Sequence, residues 1–173
     1  IIIIYNETMA YSGRYKVKNP KKYKGDFTKV VYRSGWERYA FIWCDTHDEI
    51  VEWSSEEIVV PYFYEADKKY HRYFIDLKIK FKSNEVILVE IKPHKETEVP
   101  KRPDKSKRYI NEALTYVKNM NKWEAANSFA KDRGWKFQIW TEHTLHSMGI
   151  MPKLNKLKPL KPLAPFKKVK KKV

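Results

Sequence analysis

Two periods of apolar residues alternate along this chain. Trp36, Tyr39, Ala40, Trp43 and Cys44 recur with the i, i+3, i+4, i+7, i+8 spacing of an amphipathic helix. Ser34 stands before them and Glu37 follows it by three, the arrangement of a capping box. The period then drops to two. Residues 50–53 and 58–64 read as strands, and Pro61 puts the second near an edge or a bulge. Residues 73–79 and 86–92 form a meander around a polar turn. A helical period returns from 104 to about 131, with Ile110, Leu114, Val117 and Met120 on one side. Asn121 with Glu124 three later predicts a second cap there, hence two helices or a broken one. Gly134 marks a helix stop, residues 135–140 alternate as a strand, and Thr141 opens a short helix ending at Gly149. This order predicts an α/β fold with a mixed central sheet flanked by helices.

Charge divides the chain unevenly. The 173 residues carry a net charge of +15, and nine of the lysines fall between Lys153 and Lys172, a stretch with four nearby prolines and no acid. We expect residues 151–173 to be a disordered basic tail. Residues 1–29 read as an N-terminal extension followed by a basic arm, and residues 30–150 as the folded domain. Such a balance favours a polyanionic partner. No apolar run approaches the roughly 18 residues of a membrane span, and no targeting signal is apparent. The single cysteine, Cys44, makes no internal disulfide, consistent with a reduced compartment. His143 and His146 are three apart, but no third metal ligand accompanies them.

The informative chemistry sits in the meander. Asp76 and, fourteen residues later, Glu90-x-Lys92 interrupt segments otherwise rich in β-branched and aromatic residues. A buried carboxylate is costly unless paired or metal-bound, so two carboxylates and a lysine there point to a divalent-metal site with a cationic helper. Strand parity groups Tyr73, Ile75, Leu77 and Ile79 on one face. Asp76, Glu90 and Lys92 share the other. With Ser83, Asn84 and Glu85 as a three-residue loop, Asp76 faces Lys92 and Glu90 lies on the diagonal, roughly 7–8 Å away at the backbone. On a helical wheel Glu37 falls between Cys44 and Phe41, inside the apolar arc, so it is expected to join this set. Its position also suits a plain capping role, and Lys78, Lys80 and Lys82 suit a solvated face.

The ordered set Ser34-x-x-Glu37, Asp76 and Glu90-x-Lys92 resembles the PD-(D/E)xK nuclease superfamily, with Ile75 in place of the motif proline. More closely, residues 9–13, 32–37, 60–63, 72–76 and 90–93, with Asn111-Glu112, Thr115-Tyr116 and Lys122-Trp123, resemble the head completion nucleases of T-even-like tailed phages. The core is also similar to the N-terminal domain of TnsA-type transposon endonucleases. The resemblance implies a restriction-endonuclease-like core and an endonuclease that hydrolyses DNA phosphodiesters on packaged or end DNA during virion assembly. It implies Mg²⁺, or Mn²⁺ as a substitute, on Asp76, Glu90 and the Ile91 carbonyl, with Glu37 placing a second metal or its water. Lys92 would orient the attacking water, and Arg33, Arg72 and Lys78 would contact phosphates. DNA, and portal or neck proteins, are the implied partners, in the host cytoplasm during assembly or on the virion. Two rivals stand beside this reading: a structural virion protein that binds DNA without turnover, and a TnsA-like transposition endonuclease. The latter is expected to need a further DNA-binding domain.

Overall fold

The computed structural model of the protein describes residues 12–101 and 106–152. The expectations for residues 1–11, and for the tail from residue 153, lie outside the described residues. In chain order the elements are β1 (Gly13–Arg14), β2 (Val31–Tyr32), α1 (Gly35–Thr46), β3 (Ile50–Ser54), β4 (Val59–Tyr64) and β5 (Lys69–Phe74). There follow β6 (Leu77–Phe81), β7 (Val86–Ile91), α2 (Lys107–Lys131), β8 (Lys136–Trp140) and α3 (Glu142–Ser147). The central sheet has the order β3-β6-β7-β8. Its first two pairings are antiparallel and β7–β8 is parallel, so it is mixed, and α2 supplies the crossover a parallel pair needs.

Every residue of β7 is buried, because both faces of the sheet are covered. Ile87, Val89 and Ile91 join Leu77, Ile79 and the α1 residues Ala40, Phe41 and Cys44 in one core. Leu88 joins Val60, Tyr62, Tyr73 and Ile75 in a second core beneath α2. Helix α2 reaches that core through Ala126 and Ala130, small enough for close approach, with Asn119 and Trp123 also buried. Ile110, Leu114, Val117 and Met120 are instead 37–48% exposed. The apolar stripe read from the sequence is therefore not the stripe that packs. Nor is the helix broken. The Asn121 carboxamide oxygen accepts the Glu65 N–H at 3.1 Å, so it fastens the β4–β5 turn rather than capping its own helix.

The segment read as one strand from residue 73 to 79 is two. Strand β5 pairs with β4 in a separate two-stranded sheet, and β6 pairs with β3 and β7. Between them, Ile75 N–H donates to the Ile58 carbonyl and Glu56 N–H to the Ile75 carbonyl. The break inverts parity: Tyr73 and Ile75 lie on the α2 side, whereas Leu77 and Ile79 lie on the α1 side. The turn also departs from expectation by one residue. Phe81 N–H donates to Glu85 O and Asn84 N–H to Phe81 O, with Asn84 at φ 66°, a left-handed conformation that asparagine tolerates better than most. The loop is residues 82–84, still of odd length. Leu77 therefore sits opposite Val89, and one step further Asp76 lies opposite Glu90 rather than Lys92.

The described part of the N-terminal arm is fastened to the body. Tyr15, Val17 and Tyr23 are buried in the α1-side core. Asp45, 0% exposed on α1, accepts from the Tyr15 hydroxyl at 3.0 Å and from the backbone N–H groups of Lys18 and Asn19 at 2.7 and 3.0 Å. Ile150 and Met151 are buried against the same core.

Candidate active site

Strand β6 begins only at Leu77, so β7 runs past it and its last residues have no strand partner on that edge. Asp76 fills the gap with a side chain: its Oδ2 accepts the Ile91 N–H at 2.7 Å. Glu90, 3% exposed, is held on both sides. Its Oε2 accepts the Tyr73 hydroxyl at 2.6 Å, and its Oε1 lies 3.6 Å from the Lys92 ammonium. Lys92 is fixed by its own N–H, which donates to Trp140 O on β8 at 3.0 Å. The structure thus brings Asp76, Glu90 and Lys92 together at one end of the central sheet.

Glu37 approaches from α1. Its Oε2 accepts the Arg33 N–H at 2.7 Å, its Oε1 accepts the Ser34 hydroxyl at 3.1 Å, and its N–H donates to Ser34 Oγ at 3.1 Å. Both carboxylate oxygens are thus engaged in capping, while its charge is near enough to act on Asp76. Burial raises the Asp76 pKa well above the usual carboxylate range, and the charges of Glu90 and Glu37 add to this, against the Ile91 N–H and Lys92. Burial likewise raises Glu37. For Lys92, burial disfavours the charge, but Glu90 and Asp76 outweigh it and its pKa is raised. The Tyr73 hydroxyl is pushed far up by burial and by the Glu90 charge, so it remains a donor.

The residues read as phosphate contacts each have a neighbour of their own within the protein. Arg33 forms a bidentate pair with Glu56 at 2.8 and 3.0 Å. Lys78 lies 3.9 Å from Glu52 and 5.0 Å from the centre of the Trp135 ring. Arg72 is exposed, with its guanidinium 5.6 Å from the Phe74 ring centre. His143 faces His94, their ring centres 5.0 Å apart. Among the described residues, no three His, Cys, Asp or Glu side chains gather as a metal cage. The acidic donors in contact with the site's backbone and lysine are two, Asp76 and Glu90.

Two residues to which the sequence assigns no role at the site join it. Tyr73 was assigned to the opposite face and reaches Glu90 only because of the break at residues 75–76. Lys122, on α2, places its ammonium 5.0 Å from the centre of the Tyr73 ring. Burial lowers its pKa, as do Lys92 and Lys118, against Glu90 and Asp76. Both stand in segments that carry the family resemblance, residues 72–76 and Lys122-Trp123, but nothing in those segments gives either a role at the carboxylates.

Residues 47–142 match the family described as TnsA-like endonuclease N terminal, a span that holds Asp76, Glu90 and Lys92 but not Glu37. The chain is also 46% identical over 146 residues to the head completion nuclease of Enterobacteria phage T4, covering 82% of this chain and 97% of that relative. The mixed sheet, its flanking helices and these two matches agree: the chain belongs to the phage head completion nucleases, built on a TnsA-like endonuclease domain.

Proposed function

We propose that this endonuclease cleaves DNA phosphodiesters with Mg²⁺, or Mn²⁺ in its place, held by Asp76 and Glu90. The observation that carries the reading is electrostatic. Burial, the Glu90 charge beside it and the Glu37 charge within reach make the Asp76 carboxyl resist ionisation, with the Ile91 N–H and the Lys92 cation acting against them. A divalent cation relieves that crowding. Hard oxygen donors, few in number, suit an ion that keeps several waters. Within an extended strand the N–H and C=O of one residue point to the same edge, so the Ile91 carbonyl is directed to the Asp76 side and is available as a further donor.

When bound, such an ion lowers the pKa of water and stabilises charge on the phosphate oxygens. The protein's part is geometric. Tyr73 holds one Glu90 oxygen and leaves the other facing the Lys92 ammonium, which is placed to orient a water and to neutralise a phosphate oxygen. Glu37 biases the charge of Asp76 from the α1 side. We place the activity on packaged or end DNA during virion assembly, in the host cytoplasm, with DNA and a portal or neck protein as partners; of this, the name of the T4 relative supports a nuclease acting in head completion.

Cleavage of plasmid and linear duplex DNA with Mg²⁺ and with EDTA tests the reading. Asp76→Asn, Glu90→Gln and Lys92→Met should each slow cleavage by about 10²-fold or more, the usual loss of one preorganised electrostatic group. A folded Lys92→Met variant cutting at the wild-type rate, or undiminished cleavage in EDTA, overturns the mechanism.

A further inference from the structure

Lys118 and Lys122 lie one turn apart on α2, and each rests on an aromatic ring of the β4–β5 hairpin. The Lys118 ammonium is 5.4 Å from the Tyr64 ring centre and the Lys122 ammonium 5.0 Å from that of Tyr73. Both rings are anchored at their far ends. Tyr64 donates to Leu114 O at 3.4 Å and Tyr73 to Glu90 at 2.6 Å. Nearby carboxylates are already paired elsewhere: Glu65 with Lys68, Glu112 with Arg108, and Glu90 with Lys92. The two ammonium groups are therefore positioned by rings, and among the described residues neither forms an ion pair with an acid. Lys122 feels the charge of Lys92 on one side and of Lys118 on the other, and its ammonium sits over the Tyr73 ring whose hydroxyl holds Glu90. Four residues of helix rise by about 6 Å, the scale of one nucleotide step of a strand.

We propose that Lys122 and Lys118 hold successive backbone phosphates of the DNA strand that enters the Asp76–Glu90–Lys92 centre. This assignment rests on the reading of that centre as the place of cleavage. Anions spaced along a strand fit cations spaced one helix turn apart and free of ion pairs among the described residues, and phosphate contacts fix the register of a nucleic acid without reading its bases. Lys122, between the track and Lys92, serves both binding and the reacting phosphate. Lys118, a turn further out, serves binding alone.

Methionine at either position keeps an apolar stem over its tyrosine ring and removes the charge. Binding of the full chain to fluorescent duplex DNA, in EDTA over a salt series, should show log–log slopes reduced by about one for Lys118→Met and again for Lys122→Met. Lys82→Gln, in the turn at the opposite end of the sheet, should leave the slope unchanged. In Mg²⁺, Lys118→Met should raise KM with kcat intact. Lys122→Met should raise KM and lower kcat, and arginine at either position should restore binding. Unchanged slopes for both methionine variants, or an equal loss for Lys82→Gln, overturn the track. Binding in EDTA requires no turnover. Reduced slopes in a protein that fails to cleave would uphold the track and sink the cleavage centre, whereas normal slopes with normal cleavage would do the reverse.

Discussion

Tyr73→Phe removes one hydroxyl and nothing else. The ring remains, with Tyr62 edge-on at 6.4 Å and Lys122 over its face. What is lost is a 2.6 Å hydrogen bond to a carboxylate that is 3% exposed. Hydrogen bonds to charged groups contribute about 1.5–3 kcal/mol. Water has little access to replace this one, so the upper half of that range applies, about 2–3 kcal/mol. For a chain of this size each kcal/mol moves Tm by about 2–4 °C, so the variant should melt roughly 4–12 °C below wild type. The assay is thermal unfolding of the full chain in EDTA at neutral pH, repeated over a Mg²⁺ titration. If Glu90 holds the ion, losing the group that fixes its rotamer should weaken Mg²⁺ by about 10–100-fold. A Tm within about 1 °C of wild type in EDTA would show that the hydroxyl does not anchor Glu90.

Two further outcomes follow from carboxylates, the half-buried Asp76 and the fully buried Asp45. Asp76 keeps its proton in the folded protein over a pH range where the unfolded chain, with an ordinary aspartate pKa near 3.9, has released it. In EDTA, stability should fall as pH rises from that value through the raised folded pKa. Asp76→Asn should flatten this slope in urea melts; an identical slope in the variant would remove Asp76 as its source. Asp45→Ala leaves three donors without an acceptor, which should cost about 3 kcal/mol or more. Hydrogen exchange at residues 15–19 should then accelerate, and unchanged protection there would refute the role of Asp45 as the arm's anchor.

Much of this site was legible because parity survives small errors of register. The loop was misplaced by one residue, which moved Asp76 by two positions along β7, and an even shift keeps every side chain on its face. The mixed sheet was legible from the order of elements, since a meander of strands is followed by a long helix and a further strand, the crossover that a parallel pair needs. What failed was whatever depends on tertiary choice. Helix α2 carries two apolar stripes, and periodicity does not rank them. The one that packs is defined by Ala126 and Ala130, whose small size permits contact, while the larger Ile110, Leu114, Val117 and Met120 are left exposed. Tyr73 was lost to a strand break that neither glycine nor proline announces. Asp45 reads as a surface residue of a helix, because the N–H groups that justify its burial lie 26 and 27 positions upstream.

The turn at residues 82–84 has a reach beyond its own hydrogen bonds. It closes the β6–β7 hairpin at the end of the sheet remote from the carboxylates, five residues or about 16 Å from Asp76. Yet its length and the left-handed Asn84 decide which residue of β7 stands across from that aspartate. One residue more or fewer would turn Glu90 away from α2 and Tyr73. A β-branched residue at position 84 would put the register itself under strain. Sequence drift in a solvent-facing loop, touching neither acid nor lysine, could therefore silence cleavage by sliding one strand along the other.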